Sequence, residues 1–174
     1  DGTKEFVKRR GEFTVNIALI EDGRPTLGIV HVPVSGLTYI GVAGEGAEKR
    51  TADGQREKIR VASHSHEPAR VVGSRSHRNA DLDAYLLRLG DTEIVAMGSS
   101  LKFCVVAEGG ADLYPRLGLT SEWDTAAAQA VVGQAGGSVV TLDGAAMRYN
   151  TKDDILNPHF MVIGPADRDW LGAL

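Results

Sequence analysis

The stretch FTVNIALI, residues 13–20, decides how the first half of the chain is read. Phe13, Val15, Ile17 and Leu19 alternate with Thr14, Asn16 and Ala18, the period of two of a strand with one wetter face. The run Glu-Asp-Gly-Arg-Pro closes it as a turn signal, and LGIVHVP (27–33) and LTYIGVA (37–43) follow, both β-rich and split by Pro-Val-Ser-Gly. Three successive strands with such short connections predict an antiparallel meander.

Outward from the meander the character changes. Residues 44–68 are polar and charged and end in ASHSHEP, which predicts a fourth short strand or hairpin and then a crossover, with Pro68 near a boundary. Beyond it strands and helices alternate. Residues 69–74 and 92–98 read as strands, 81–90 as a helix closed by Gly90, 99–109 as a buried helix and 111–117 as a strand. A helix from about Glu122 to Ala135 stops at Gly136-Gly137, with short strands near 138–142 and 160–163. An antiparallel half followed by a β-α-β-α half predicts a layered α/β or α+β protein. Residues 1–66 are then what remains of an N-terminal antiparallel-sheet domain and 67–174 a C-terminal α/β domain.

Composition narrows the function. The 174 residues carry a net charge of −4, which argues against a nucleic-acid polymer or an anionic membrane as the main partner. Cys104 is the single cysteine, so the chain has no internal disulfide framework and too little sulfur for a structural zinc site. Its place in LKFCVVA predicts a buried thiol, and the whole fits a reducing, cytoplasmic setting. No apolar run approaches the ~18 residues of a membrane span.

Four short stretches could carry chemistry. In SEWDTAAAQAVVGQAGG (121–137), Ser121 and Asp124 match a Ser-x-x-Asp capping box, so Asp124 could simply satisfy the first turn of the helix. The same carboxylate could hold a divalent cation, with three alanines behind it letting the helix pack closely. In GSSLKF (98–103), Gly98, Ser99 and Lys102 at a helix start suit a phosphate, or form an ordinary serine cap with a solvated lysine. SRSH (74–77) follows a strand at its carboxyl end, where Arg75 and His77 could meet a phosphate or base, or decorate a loop. Asp1-Gly2-Thr3 offers a carboxylate, a glycine permitting close backbone approach, and a hydroxyl able to position water. His64 and His66 look like a metal pair without a third ligand nearby in sequence.

In this order, DGTKEF, GEFTVNIAL, SRSH, GSSLKF and WDTAA resemble the inositol monophosphatase superfamily, and within it the bacterial 3′(2′),5′-bisphosphate nucleotidase (CysQ) branch. The second signature, Trp-Asp-x-Ala-(Ala/Gly), is complete in Trp123–Ala127. The first, Asp-Pro-(Leu/Ile)-Asp-Gly-Thr, survives only as Asp1, Gly2 and Thr3, without its Asp-Pro-Leu, and Lys4-Glu5-Phe6 favours the nucleotidase branch. The resemblance implies an α/β fold, an α+β layered αβαβα sandwich of the sugar phosphatase type, truncated at its N-terminus. It also implies a Mg²⁺-dependent, lithium-sensitive phosphomonoesterase of sulfur metabolism, removing the 3′-phosphate of adenosine 3′,5′-bisphosphate and acting on 3′-phosphoadenylyl sulfate as well. An inositol-phosphate or sugar bisphosphate phosphatase of the same superfamily is the nearest rival.

By the same resemblance Asp1 and Asp124 are metal ligands and Thr3 helps activate the attacking water. Gly2 and Thr3 offer N–H groups to the phosphate, His77, Gly98 and Lys102 contact the nucleotide, and Ser74 and Ser99 join them, with Asp124 also at the substrate. Relatives hold two or three Mg²⁺ ions with further ligands, namely an earlier Glu, the first Asp of the signature and the carbonyl of its Leu. The expectation is therefore a chain inactive or nearly so without a missing N-terminal segment, itself a possible separate chain, and with strand edges and apolar faces exposed. A non-catalytic nucleotide-binding fragment is the reading from another class. Homodimer formation and peripheral attachment to the cytoplasmic face of the inner membrane are further expectations by family analogy.

Overall fold

The structure is a computed structural model and describes residues 1–73 and 80–174. A short helix α1 (Thr3–Val7) precedes five strands, β1 (Val15–Glu21), β2 (Arg24–Val32), β3 (Leu37–Val42), β4 (Gly46–Arg50) and β5 (Arg56–Ile59). They pair in sequence order, each antiparallel to the next. Asp22 and Gly23, at φ 50° and 75°, make the two-residue turn between β1 and β2, the backbone twist that suits a tight hairpin. The predicted meander is present, and the polar stretch after it folds as the hairpin β4–β5. There Glu48, only 6% exposed, is held by Arg50 and Arg56 on its own sheet, which lowers its carboxyl below the usual range, Arg56 contributing most.

The second sheet has the order β7-β6-β8-β10-β9. It is built from β6 (Ala69–Gly73), β7 (Thr92–Ala96), β8 (Leu113–Arg116), β9 (Ser138–Thr141) and β10 (Phe160–Ile163). β6 is parallel to β7 and β8, whereas β10 is antiparallel to both β8 and β9. Helix α2 (Ala80–Leu89) covers one face through Leu82, Tyr85, Leu86 and Leu89, packed with Val71, Leu113, Met161 and Trp170. Helices α3 (Leu101–Ala107) and α4 (Glu122–Gln134) share a core with residues of both sheets. The seven residues of α3 are all buried, as an all-round apolar helix must be. The layers of the described residues thus run sheet, helix pair, sheet, helix, which is four of the five layers in the expected sandwich.

The facing of β1 departs from the reading of its alternation. Its large residues Val15, Ile17 and Leu19 point outward, at least half exposed, while Asn16, Ala18 and Ile20 point towards α4. The reason lies in the register. Ala18 pairs with Gly28, Gly28 with Gly41 and Gly41 with Ala47, so a row of small residues crosses four strands. Into this trough α4 lays Ala126, Ala127, Ala130 and Val131, all buried. The approach is backbone to backbone: a Cβ on Gly28 would sit 2.0 Å from the Ala127 carbonyl oxygen, and one on Gly41 2.7 Å from that of Ala130. Side-chain size, not hydrophobicity alone, selects the inner face.

Cys104 is fully buried, and burial raises its thiol pKa well above the ordinary value. His64 and His66 part company: His66 Nδ1 lies 2.6 Å from Asp112 and His64 Nδ1 3.5 Å from Asp167. Asp112, with no exposed surface, also accepts the backbone N–H groups of His66 and Arg70, so it stitches the crossover to β6. Among the described residues no helix is long and apolar enough to cross a membrane.

Candidate active site

Asp1 is fixed by the strand that follows it. Its backbone nitrogen donates to the Thr14 carbonyl at 2.9 Å, and the Thr14 N–H returns to the Asp1 carbonyl at 3.0 Å. Gly2, at φ 93°, then turns the chain into α1, with a Cβ there held off by Phe13 and Ser99. Phe6 meets Phe13 edge-on, ring centroids 5.1 Å apart, so the loop folds back on itself.

Asp124 sits in the first turn of α4. Its Oδ2 accepts the Ser121 N–H at 3.0 Å, so the capping role read from the sequence is real. Segment 155–157 clamps the same helix start: the Glu122 N–H donates to Ile155 O, and Asn157 Nδ2 to Ser121 O at 2.8 Å. Asn157 is 5% exposed and also reaches the Thr120 and Thr125 hydroxyls.

Asp1 and Asp124, far apart in sequence, line one polar cavity of ≈ 440 Å³. Gly2, Thr3, Ser99 and Lys102 line it too, so six of the residues singled out converge here. Gly98 lies just behind, where a Cβ would come within 2.6 Å of Glu5 and 2.8 Å of Glu12. Its role in the fold is to let those two acidic side chains approach. Ser74, Arg75 and His77 lie outside the described residues.

The cavity also contains groups without a sequence signal. Arg116, at the end of β8, lines it and braces its rim through hydrogen bonds to the Gly118 and Leu119 carbonyls. Tyr114 joins it, and Ser100 and the exposed Trp123, from two of the quoted motifs, line the same cavity with Lys4 and Glu5. Lys102 is 8% exposed, donates to the Ser99 carbonyl at 2.7 Å and lies 5.5 Å from the centre of the Tyr114 ring. Burial pushes its ammonium down to about 8 and the Arg116 charge adds to that, against Glu5, Glu12 and Asp124, which pull it up. At neutral pH it is still mostly protonated, a poorly hydrated cation ready for an anion.

The carboxylates of Asp1, Asp124 and Glu5, the cations Lys4, Lys102 and Arg116, and the Thr3 hydroxyl define the chemistry. Magnesium takes about six oxygens and is commonly held by one or two carboxylates, with waters and phosphate oxygens completing the shell. Asp1 and Asp124 match that donor set for a single ion. Among the described residues no group of three His, Cys, Asp or Glu stands close enough to hold an ion unaided.

The fold and this convergence define a phosphatase-type α/β architecture, and the chain belongs to the inositol monophosphatase family, whose model matches residues 1–167. It is 50% identical over 162 residues to the 3′(2′),5′-bisphosphate nucleotidase CysQ of Escherichia coli (strain K12), covering 93% of this chain. It is 32% identical to the CysQ of Haemophilus influenzae over 98% of its length. The chain spans 64% of the length of both relatives. Among solved structures, CysQ from Bacteroides thetaiotaomicron superposes with a TM-score of 0.87 at 41% identity, covering 97% of this chain and 68% of that one. An inositol monophosphatase from Zymomonas mobilis shares the fold at a TM-score of 0.81 and 23% identity.

Proposed function

We propose that the cavity hydrolyses a nucleotide phosphomonoester, with adenosine 3′,5′-bisphosphate as substrate and AMP and phosphate as products. The observation that carries this reading is the meeting of Asp1-Gly2-Thr3 and Asp124 in one cavity with the cationic side chains of Lys102, Arg116 and Lys4. Similarity to CysQ proteins, named as 3′(2′),5′-bisphosphate nucleotidases, supports the substrate class. Lys102, Arg116 and Lys4, beside the carboxylates of Asp1, Asp124 and Glu5, offer cationic contacts for a second anionic group, which a bisphosphate has and an inositol monophosphate lacks. Acceptance of 3′-phosphoadenylyl sulfate, a role in sulfur metabolism, lithium sensitivity and a cytoplasmic setting belong to the same reading.

Asp1 and Asp124 hold Mg²⁺ in this reading, and the ion supplies positive charge for the phosphate and acidifies water. Thr3 accepts a hydrogen bond from the attacking water and so aims its lone pair at phosphorus. The bond to the 3′-oxygen breaks as the new oxygen–phosphorus bond forms, one proton of the attacking water passing to the leaving oxygen and the other remaining on the released phosphate. Lys102 and Arg116 keep the remaining anionic group in place. No side chain needs to form a covalent intermediate.

The test is phosphate release by the full-length gene product from adenosine 3′,5′-bisphosphate and, in parallel, from inositol 1-phosphate, with and without Mg²⁺. Asp124→Asn should cost more than the ~10–100-fold typical of losing a group that merely orients a metal ligand. Preference for inositol 1-phosphate would shift the reading to the sister activity, and full turnover by Asp124→Asn would end it.

A further inference from the structure

Behind Asp1 lies a chain of hydroxyl groups that the proposed chemistry does not use directly. The Ser99 hydroxyl donates to Asp1 Oδ2 at 2.6 Å. Thr14 Oγ1 is 2.7 Å from Ser99 Oγ and 2.8 Å from Ser100 Oγ, and Ser100 Oγ is 2.9 Å from Asn16 Oδ1. Thr14, Ser99 and Ser100 are 4%, 8% and 2% exposed, so water has little access to compete for these bonds. The chain joins the loop before β1, β1 itself and the start of α3.

Backbone geometry sharpens the point. Ser99 stands at φ 52°, a left-handed conformation that glycine adopts without penalty and a serine does not. A residue kept there against its backbone preference is contributing its side chain, and that side chain is the one bonded to Asp1.

Proton counting then sets the direction. A carboxylate is acceptor-only, so Ser99 gives its single proton to Asp1. Thr14 must therefore donate to Ser99, and Ser100 to Thr14. That leaves Ser100 as an acceptor towards Asn16, so the amide must present its NH₂ where the structure places Oδ1, a half-turn that exchanges its two nearly identical ends. If Ser100 instead donated to an Asn16 carbonyl, three hydroxyl protons would have to serve four contacts, and one pair of oxygens under 3 Å apart would face each other with no proton between them. The opposite direction closes only if Asp1 itself holds a proton, which forfeits the carboxylate a cation needs.

We infer that Asn16, Ser100, Thr14 and Ser99 form a one-way hydrogen-bond relay that orients and holds the Asp1 carboxylate as a cation ligand, with the Asn16 amide turned NH₂-inward. This rests on the reading of Asp1 as a metal ligand. Bonds that all point one way polarise each other, so the relay acts as a unit and its far end matters to its near end. Ser99 is on this account a positioning residue and not primarily a contact for substrate.

The experiment uses Mn²⁺ as the probe, its binding to the full-length gene product followed by the electron paramagnetic resonance of free Mn²⁺ without substrate, beside the melting temperature of the metal-free protein. Ser99→Gly, Thr14→Val and Asn16→Asp should each weaken Mn²⁺ binding by about tenfold, the lower end of what loss of a ligand-orienting partner costs. Thr14→Ser, which keeps the hydroxyl, should bind within about twofold of the parent. Ser99→Gly should melt close to the parent, because the relieved left-handed backbone offsets the lost hydroxyl bonds. Unchanged Mn²⁺ affinity in Ser99→Gly and Thr14→Val, with affinity lost in Asp1→Asn, would overturn the relay alone. Unchanged affinity in Asp1→Asn would overturn the ligand assignment on which it stands.

Discussion

Gly28→Ala is the substitution on which the packing argument is most exposed. The added Cβ would lie 2.0 Å from the Ala127 carbonyl oxygen and 2.7 Å from the Ala130 Cβ. Carbon contacts are comfortable from ~3.5 Å, so strand β2 and helix α4 must separate by about 1.5 Å at this point. Neither has a flexible side chain to yield, since the obstacle is helix backbone, and the helix start is clamped by segment 155–157. A gap of 0.5–1 Å already forfeits roughly a quarter to a half of a dispersion contact, and it would run along Ala126, Ala127, Ala130 and Val131. The cost belongs at the top of the overpacking range, about 3 kcal/mol or more. With a urea m-value of about 2 kcal/mol/M, the midpoint followed by far-ultraviolet circular dichroism should fall by about 1.5 M. The same chemical change on the same helix, Gly133→Ala, meets nothing within 4 Å and should raise stability by about 0.5–1 kcal/mol through helix propensity. A midpoint for Gly28→Ala within about 0.2 M of the parent would refute the trough as the reason α4 sits where it does. Asp124 is one turn from Ala127, and a displacement of ~1 Å at a site can cost about a hundredfold in rate, so turnover should fall further than stability alone explains.

The buried Lys102 should leave a signature in pH. Its ammonium is pushed down to about 8 while an unfolded lysine titrates near 10.4, so between these values the unfolded chain holds the extra proton and stability rises with pH. Lys102→Met should remove that rise in urea midpoints measured from pH 8 to 10, and an identical slope in both proteins would contradict it. Above pH 10 the slope should reverse, because burial raises the phenols of Tyr39, Tyr85, Tyr114 and Tyr149 and the folded chain then keeps protons the unfolded one releases. Asp112→Ala orphans two backbone N–H groups and the His66 ring and should cost about 3 kcal/mol, whereas Asp112→Asn keeps a carbonyl oxygen for the backbone and should cost about 1 kcal/mol. Equal losses for the two in urea unfolding would show that the carboxylate's charge, and not its acceptor geometry, holds the crossover.

Strand existence was legible wherever β-branched residues alternate, as in 13–20 and 37–43, because the pleat imposes a period of two. The direction of β1 was not, since alternation says that two faces differ but not which one a helix can approach. That depends on Gly28 and Gly41, which are neighbours only through strand pairing. The hairpin β4–β5 was blurred because its strands pair Glu48, Arg50 and Arg56 through charge. Helix α1 escaped notice for a plain reason: it has five residues and buries none of them. At the site, Asp1, Thr3, Lys102 and Asp124 were recognisable because their neighbours form contiguous motifs. Arg116 was not, and Thr14, Asn16 and Ser100, although inside quoted motifs, gave no sign of acting together, because only the fold brings a strand position and a helix start into one hydrogen-bonded chain.

The trough also has a consequence for the order of events in folding. The hairpins of the meander close over a few residues each, but seating α4 joins Ala127 to Gly28, roughly a hundred positions away, at a loop-closure cost the hairpins do not face. The meander can therefore form without α4, whereas the cavity cannot exist until α4 has docked. Amide exchange at α4 should then report on the integrity of the site more closely than exchange in the strands beneath it.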